Sequence, residues 1–166
     1  GLGRRVKISV IFTTYNSPKW LEIVLWGFAN QTDSNFEVIV ADDGSGPETS
    51  AVMDAARAQG QENVRHVWHE DRGFQKCQIL NRAIVAATGD YLILTDGDCV
   101  PRKDFVSQHL ELFLLQIYLL KNYLFQILML LPVIDRQNLV RHLLKQWSHT
   151  ELHYQQMVHN LHQKHL

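Results

Sequence analysis

Short apolar runs recur along the first two thirds of the chain, each cut off by a polar cluster and separated from the next by a helix-like stretch. Val6–Thr13 (VKISVIFT) and Phe36–Ala41 (FEVIVA) are β-branched runs with apolar residues on both faces, as in strands covered by helices on both sides of a parallel sheet. Val64–Trp68 and Tyr91–Thr95 (YLILT) read as two further strands. Between the first two, Ser17 and Pro18 read as N-cap and first residue of a helix to about Asn30, with Trp20, Leu21, Val24, Leu25 and Phe28 at helical spacing. Residues 48–59 form a second helix closed by Gly60, and residues 75–87 a third with Gly89 as its stop. Pro101–Glu111 opens a fourth. Such alternation needs crossover connections, so the expected fold is an α/β domain of Rossmann-like type around a parallel sheet.

The composition agrees with a globular domain and excludes several classes. A chain of 166 residues with net charge −1, 46% hydrophobic and 20% charged residues, is neither disordered nor collagenous. Near-neutral charge argues against a protein held to nucleic acid by bulk electrostatics. Cys77 and Cys99 provide no disulfide framework and fit a reducing, cytoplasmic compartment. The basic stretch Gly1–Lys7 runs straight into a strand too short for a signal-peptide core.

These averages conceal two unlike parts. Residues 1–111 carry −4 and residues 112–166 carry +3, and all nine glycines lie at or before Gly97. The later part holds 15 leucines and only two acidic residues, Asp135 and Glu151. The expected division is therefore a domain at 1–111 and a leucine-rich, mainly helical tail at 112–166.

In an open parallel sheet, ligands bind beyond the carboxyl ends of the strands. Three polar clusters fall there: Thr13-Thr14-Tyr15-Asn16, Asp42-Asp43-Gly44-Ser45 and Asp96-Gly97-Asp98. All three should face one crevice, into which four carboxylates repel one another unless a cation or donor-rich ligand neutralises them. Asp96 and Asp98 can both reach a hard divalent cation from a turn, while Gly97 lets the backbone pass close to a ligand. Mg²⁺ or Mn²⁺ held by one or two carboxylates keeps positions open for phosphate oxygens, which predicts a metal–diphosphate site. A lone Asp-Gly-Asp is more often a plain turn, and its position after a buried strand beside two other clusters reverses those odds. Asp42-Asp43-Gly44-Ser45 reads equally as a helix cap and turn, or as acceptor of hydrogen bonds from a base or ribose, with one aspartate on each task.

The series ISVIFTTYN, FEVIVADDGS and GFQKCQILNRAIVAATGDYLILTDGDCVP resembles the nucleotide-sugar-binding half of family 2 glycosyltransferases of the GT-A fold, over about residues 6–111. The stretch GFQKCQILNRAI with DGDCVP is similar to the bacterial polysaccharide and lipopolysaccharide branch, including chondroitin-polymerase-like enzymes. The resemblance implies that Thr13 and Asp43 contact the nucleotide base, usually uracil, and that Asp96 lies near ribose and metal. It makes Asp98 the ligand of Mn²⁺ or Mg²⁺ at the diphosphate. Gln75 or Lys76 would lie beside the nucleotide, although Lys76 reads equally as a solvated helix residue. The implied activity is metal-dependent, inverting transfer from a UDP-sugar to a polysaccharide or lipopolysaccharide acceptor. Inversion needs a carboxylate base on the opposite face, which the family supplies downstream of the DXD motif. Here that half is missing or replaced, so the fold reads as truncated and the catalytic base is unassigned. The competing reading is a catalytically incomplete fragment that at most binds nucleotide and metal. A nucleotidyltransferase is disfavoured by the absence of any Gly-rich phosphate loop.

Leu112–Ile134 holds 18 apolar residues in 23, long enough for a bilayer core of about 30 Å, but Lys121 sits mid-segment and Pro132 ends it. Three readings stay open: helices packing on the sheet, a membrane segment, or the product of a shifted reading frame. Membrane association through 112–134 would place the protein peripherally at the inner face of the membrane. His149 and His153 are four apart, but no acidic or cysteine partner completes a metal site.

Overall fold

The computed structural model describes residues 5–130, with side chains through residue 124. Four strands, β1 (Ile8–Thr14), β2 (Phe36–Asp42), β3 (Val64–Trp68) and β4 (Tyr91–Asp96), alternate with α1 (Pro18–Ala29), α2 (Pro47–Ala58), α3 (Lys76–Ala86) and α4 (Phe105–Leu130). The strands form one sheet in the order β3-β2-β1-β4, all pairs parallel. β1 sits centrally, with Val10 opposite both Val38 and Ile93. Val6–Leu110 forms one compact unit.

The sheet is buried on both faces, as the unbroken apolar runs require. Ile8, Val10 and Phe12 of β1 face Leu21, Val24, Leu25 and Phe28 of α1, Met53 of α2, and Val106 of α4. Phe28 is the centre of an aromatic group with Phe12, Phe36 and Phe105 at 6.0–6.3 Å between ring centroids. The opposite face is thinner: Ile11, Ile39 and Ala41 meet Ile79 and Ala83 of α3.

At the amino end of the sheet, one carboxylate joins three strands. Glu37 accepts hydrogen bonds from Ser9 Oγ (2.7 Å), the Thr88 backbone N–H (2.7 Å), Thr88 Oγ1 (2.8 Å) and Arg65 Nη1 (3.3 Å). Burial alone would raise its pKa, but these donors outweigh burial and bring it down to about 2.

Several local expectations are revised. Ser17 holds the N-cap position of α1 but makes no side-chain cap; its hydroxyl donates instead to the Tyr15 carbonyl at 3.0 Å. Gly89 does not stop α3, which ends through Ala87 in extended conformation. Its role is close approach, since a Cβ there would lie 2.5 Å from Ser9 Oγ. Pro101 does not open α4, which starts four residues later and continues unbroken through Glu111, where the composition changes. Among the described residues, no helix is long and apolar enough to cross a membrane. Residues 131–134 of the apolar stretch, and with them His149, His153 and most of the 112–166 tail, lie outside the described residues.

Candidate functional site

The polar clusters meet at the carboxyl ends of β1, β2 and β4. Two adjoining cavities open there, about 240 and 380 Å³ in volume, and Thr13, Thr14, Tyr15 and Lys76 line both. Asp43, Gly73 and Phe74 complete the smaller one, and Asp96, Gly97, Asp98, Ser17 and Trp20 the larger. Parallel pairing explains the convergence: Thr13 stands opposite Asp96 on one side and Ala41 on the other, so the ends of the three strands are level.

Six of the eight expected side chains line this crevice: Thr13, Tyr15, Asp43, Lys76, Asp96 and Asp98. Asn16 and Asp42 stand behind it. Asn16 adopts a positive φ of 46° and is committed to the neighbouring loop, its N–H donating to Ser45 Oγ (2.8 Å) and its Oδ1 accepting from the Gly46 N–H (3.0 Å). Asp42 is fully buried, accepting from the Ser45 N–H (2.8 Å) and paired with His66 Nε2 (2.8 Å). Burial would raise its pKa, but the His66 and Ser45 contacts prevail and lower it. The two aspartates thus divide the tasks: Asp42 builds the turn and Asp43 faces the cavity.

This revises the electrostatic argument. Asp43 is not left repelling its neighbours: His69 Nε2 lies 2.7 Å from Oδ1, and the Gln75 N–H donates to Oδ2 at 3.0 Å. On the other side of the crevice, Lys76 Nζ lies 3.7 Å from Asp96 Oδ1. Within the protein itself Gly97 is required for close approach to β1, because a Cβ there would fall 2.2 Å from the Thr13 carbonyl oxygen.

No group of three or more His, Cys, Asp or Glu is arranged to hold a metal ion among the described residues. The donor set that exists is two carboxylates on one turn, with Asp96 well exposed. Hard oxygen ligands in that number suit Mg²⁺ or Mn²⁺ completed by water and phosphate oxygens, so these residues fit such an ion.

Four contributors were not anticipated. His69 and Asp71 follow β3, and the rule that marks the polar ends of the other three strands applies equally to His69-Glu70-Asp71-Arg72. Asp71 accepts from the Tyr15 hydroxyl at 2.9 Å, which raises the Tyr15 pKa, and contact with Gly73 N–H and Tyr15 lowers that of Asp71. Phe74 stands 87% exposed at the mouth. Trp20 of α1, at helical spacing with Leu21, Val24, Leu25 and Phe28, is half-exposed and lines the same cavity as Asp98.

The sequence model of Glycosyl transferase family 2 matches residues 9–115. The chain belongs to this family. Chondroitin synthase of Escherichia coli is 34% identical over 106 residues, covering 63% of this chain and 15% of that relative. Among solved structures, Staphylococcus aureus TarS 1–349 superposes with a TM-score of 0.58 at 28% identity, covering 63% of this chain and 31% of that 1–349 chain. The TarS complex with UDP-GlcNAc matches at 0.54. Mannosyltransferase PcManGT from Pyrobaculum calidifontis, in complex with GDP-Man and Mn²⁺, matches with a TM-score of 0.50 at 28% identity over 57% of this chain and 28% of that one. The chain therefore spans under a third of each of these relatives. Its four-stranded parallel sheet has the GT-A, Rossmann-like arrangement of the family.

Proposed function

We propose that this chain binds a nucleotide-diphospho-sugar, specifically a UDP-sugar, as the donor-binding part of an inverting glycosyltransferase whose acceptor is a polysaccharide or lipopolysaccharide. The observation that carries this reading is the convergence of Thr13, Tyr15, Asp43, Lys76, Asp96 and Asp98 on one crevice. The ligands of TarS and PcManGT, UDP-GlcNAc and GDP-Man with Mn²⁺, support it.

Each side chain has a task in that reading. Asp43, held by His69 and Gln75, accepts a hydrogen bond from a base N–H. Thr13 and Tyr15 wall the crevice, with Tyr15 kept in place by Asp71. Asp96 and Asp98 would hold Mn²⁺ or Mg²⁺, Asp96 also lying within reach of the ribose. The bound ion supplies Lewis-acid stabilisation of the departing nucleoside diphosphate. Lys76 adds a positive charge from the first turn of α3, where the helix dipole also favours an anion. The carboxylate base belongs to the acceptor-binding part.

Calorimetric titration of the 166-residue chain with UDP and UDP-GlcNAc, with and without Mn²⁺, tests the binding. The expected result is binding strengthened by metal, and no binding under either condition overturns the proposal. A second reading, donor binding without transfer, is favoured by one observation: the family match ends at residue 115. Release of UDP from UDP-GlcNAc in the presence of glycan acceptors separates the two readings.

A further inference from the structure

We propose that His69 is a positioning residue that makes base recognition by Asp43 selective for a pyrimidine presenting a ring N3–H donor. The inference rests on the nucleotide-binding reading above and goes beyond it in naming what enforces selectivity. His69 directly follows β3 and is only 8% exposed. Its Nε2 lies 2.7 Å from Asp43 Oδ1, while the Gln75 N–H, from the start of α3, reaches Oδ2 at 3.0 Å. The Asp43 backbone is fixed as well, its N–H donating to the Thr14 carbonyl at 3.0 Å. The carboxylate is thus held by one donor on each oxygen, from two different elements, and keeps accepting capacity on both.

The neighbouring pair has the same chemistry and a different outcome. His66 binds Asp42, but Asp42 is fully buried and lines neither cavity, so that pair serves only the turn. Asp43 lines the smaller cavity together with Thr13, Tyr15 and Phe74. The loop bearing His69 is locked against the loop bearing Asp43: Trp68 Nε1 donates to the Ser45 carbonyl at 3.1 Å, and a Cβ on Gly44 would lie 2.5 Å from Asp71 Cα. The backbone on either side of His69 is therefore held against the loop that carries Asp43.

Selectivity follows from hydrogen-bond polarity. An ionised carboxylate only accepts, so it attracts the N3–H of uracil and repels the N3 lone pair of cytosine. That discrimination requires the carboxylate to stay in one orientation. Without the His69 donor, Oδ1 loses its anchor, and the side chain can turn to accommodate either base.

The test compares wild type, His69→Gln and His69→Met as full chains by calorimetric titration with UDP and with CDP, with thermal unfolding as a check on folding. Gln offers an amide N–H near the Nε2 position, whereas Met keeps similar bulk without a donor. Wild type should prefer UDP; His69→Met should weaken UDP binding about tenfold, the usual order for a lost charge-assisted hydrogen bond, with CDP little changed. His69→Gln should restore most of the preference. An unchanged UDP-to-CDP ratio in His69→Met, or equal behaviour of Gln and Met, overturns the proposal. Should His69→Met fail to fold, His69→Leu, which also lacks a donor, takes its place against His69→Gln, and an unchanged UDP-to-CDP ratio there likewise overturns the proposal. Failure of wild type to bind UDP overturns the nucleotide-binding reading itself, which distinguishes the two failures.

Discussion

Gly97 lies against Thr13 so closely that a Cβ on Gly97 would sit 2.2 Å from the Thr13 carbonyl oxygen. Thr13 and Asp96 are paired across β1 and β4, so the turn carrying Asp98 folds directly onto the end of the central strand. That contact brings Asp96 and Asp98 into one cavity with Thr13 and Tyr15. The glycine of the motif is therefore a packing requirement within the protein, and its consequence is the position of two carboxylates.

Gly97→Ala should accordingly displace the turn without unfolding the sheet. Overpacking of this kind costs about 1–3 kcal/mol, which a denaturant titration would register. The larger effect should be on ligand binding: Mn²⁺-supported UDP affinity should fall by more than about tenfold, since displacement by an ångström degrades metal and diphosphate geometry. Wild-type affinity in Gly97→Ala would show that the contact does not position the carboxylates.

Asp98→Ala isolates the metal contribution. UDP affinity in wild type should rise with Mn²⁺ and in the variant should become independent of it, while binding without metal stays comparable. Calorimetry in Mn²⁺ and in EDTA reads both quantities. A variant that keeps its full metal dependence would exclude Asp98 as a ligand.

The sequence made the sheet legible because both faces of β1 and β2 are buried, which leaves apolar runs with only one structural reading. It made Asp43, Asp96 and Asp98 legible because each lies at the carboxyl end of a strand. It did not separate Asp42 from Asp43, since the pair straddles the end of β2 and nothing local says which side chain enters the cavity. Nor did it reveal His69 or the packing of Gly97 on Thr13, because their partners, Asp43 and Thr13, are distant in sequence and are brought near only by parallel pairing. Gly89 was misread for the same reason: its close neighbour Ser9 lies 80 residues away.

Glu37 should give the fold a distinct acid sensitivity. Its pKa is about 2 in the folded chain against an ordinary 4.5, so its stabilisation is fully present above pH 4.5 and is lost as pH falls toward 2. The shift corresponds to about 2–4 kcal/mol. Glu37→Gln should lose that amount at neutral pH and show a flatter stability profile between pH 4.5 and 2, measured by urea unfolding across the range. An unchanged profile would mean that the Ser9, Thr88 and Arg65 contacts do not govern acid unfolding.

Asp42 and Asp43 should respond oppositely to substitution, although they are adjacent. Asp42→Ala leaves the Ser45 N–H and the partly buried His66 without their acceptor, and breaking a buried pair by removing one partner costs about 3–5 kcal/mol. Asp42→Asn keeps an acceptor for the Ser45 N–H and can donate to a neutral His66, so it should lose much less. Since Asp42 lines neither cavity, folded Asp42→Asn should bind UDP as wild type does. Thermal unfolding paired with UDP titration checks both halves of the expectation. Weakened UDP binding in a fully folded Asp42→Asn would mean that Asp42 contacts the ligand and that the division of labour between the two aspartates is wrong.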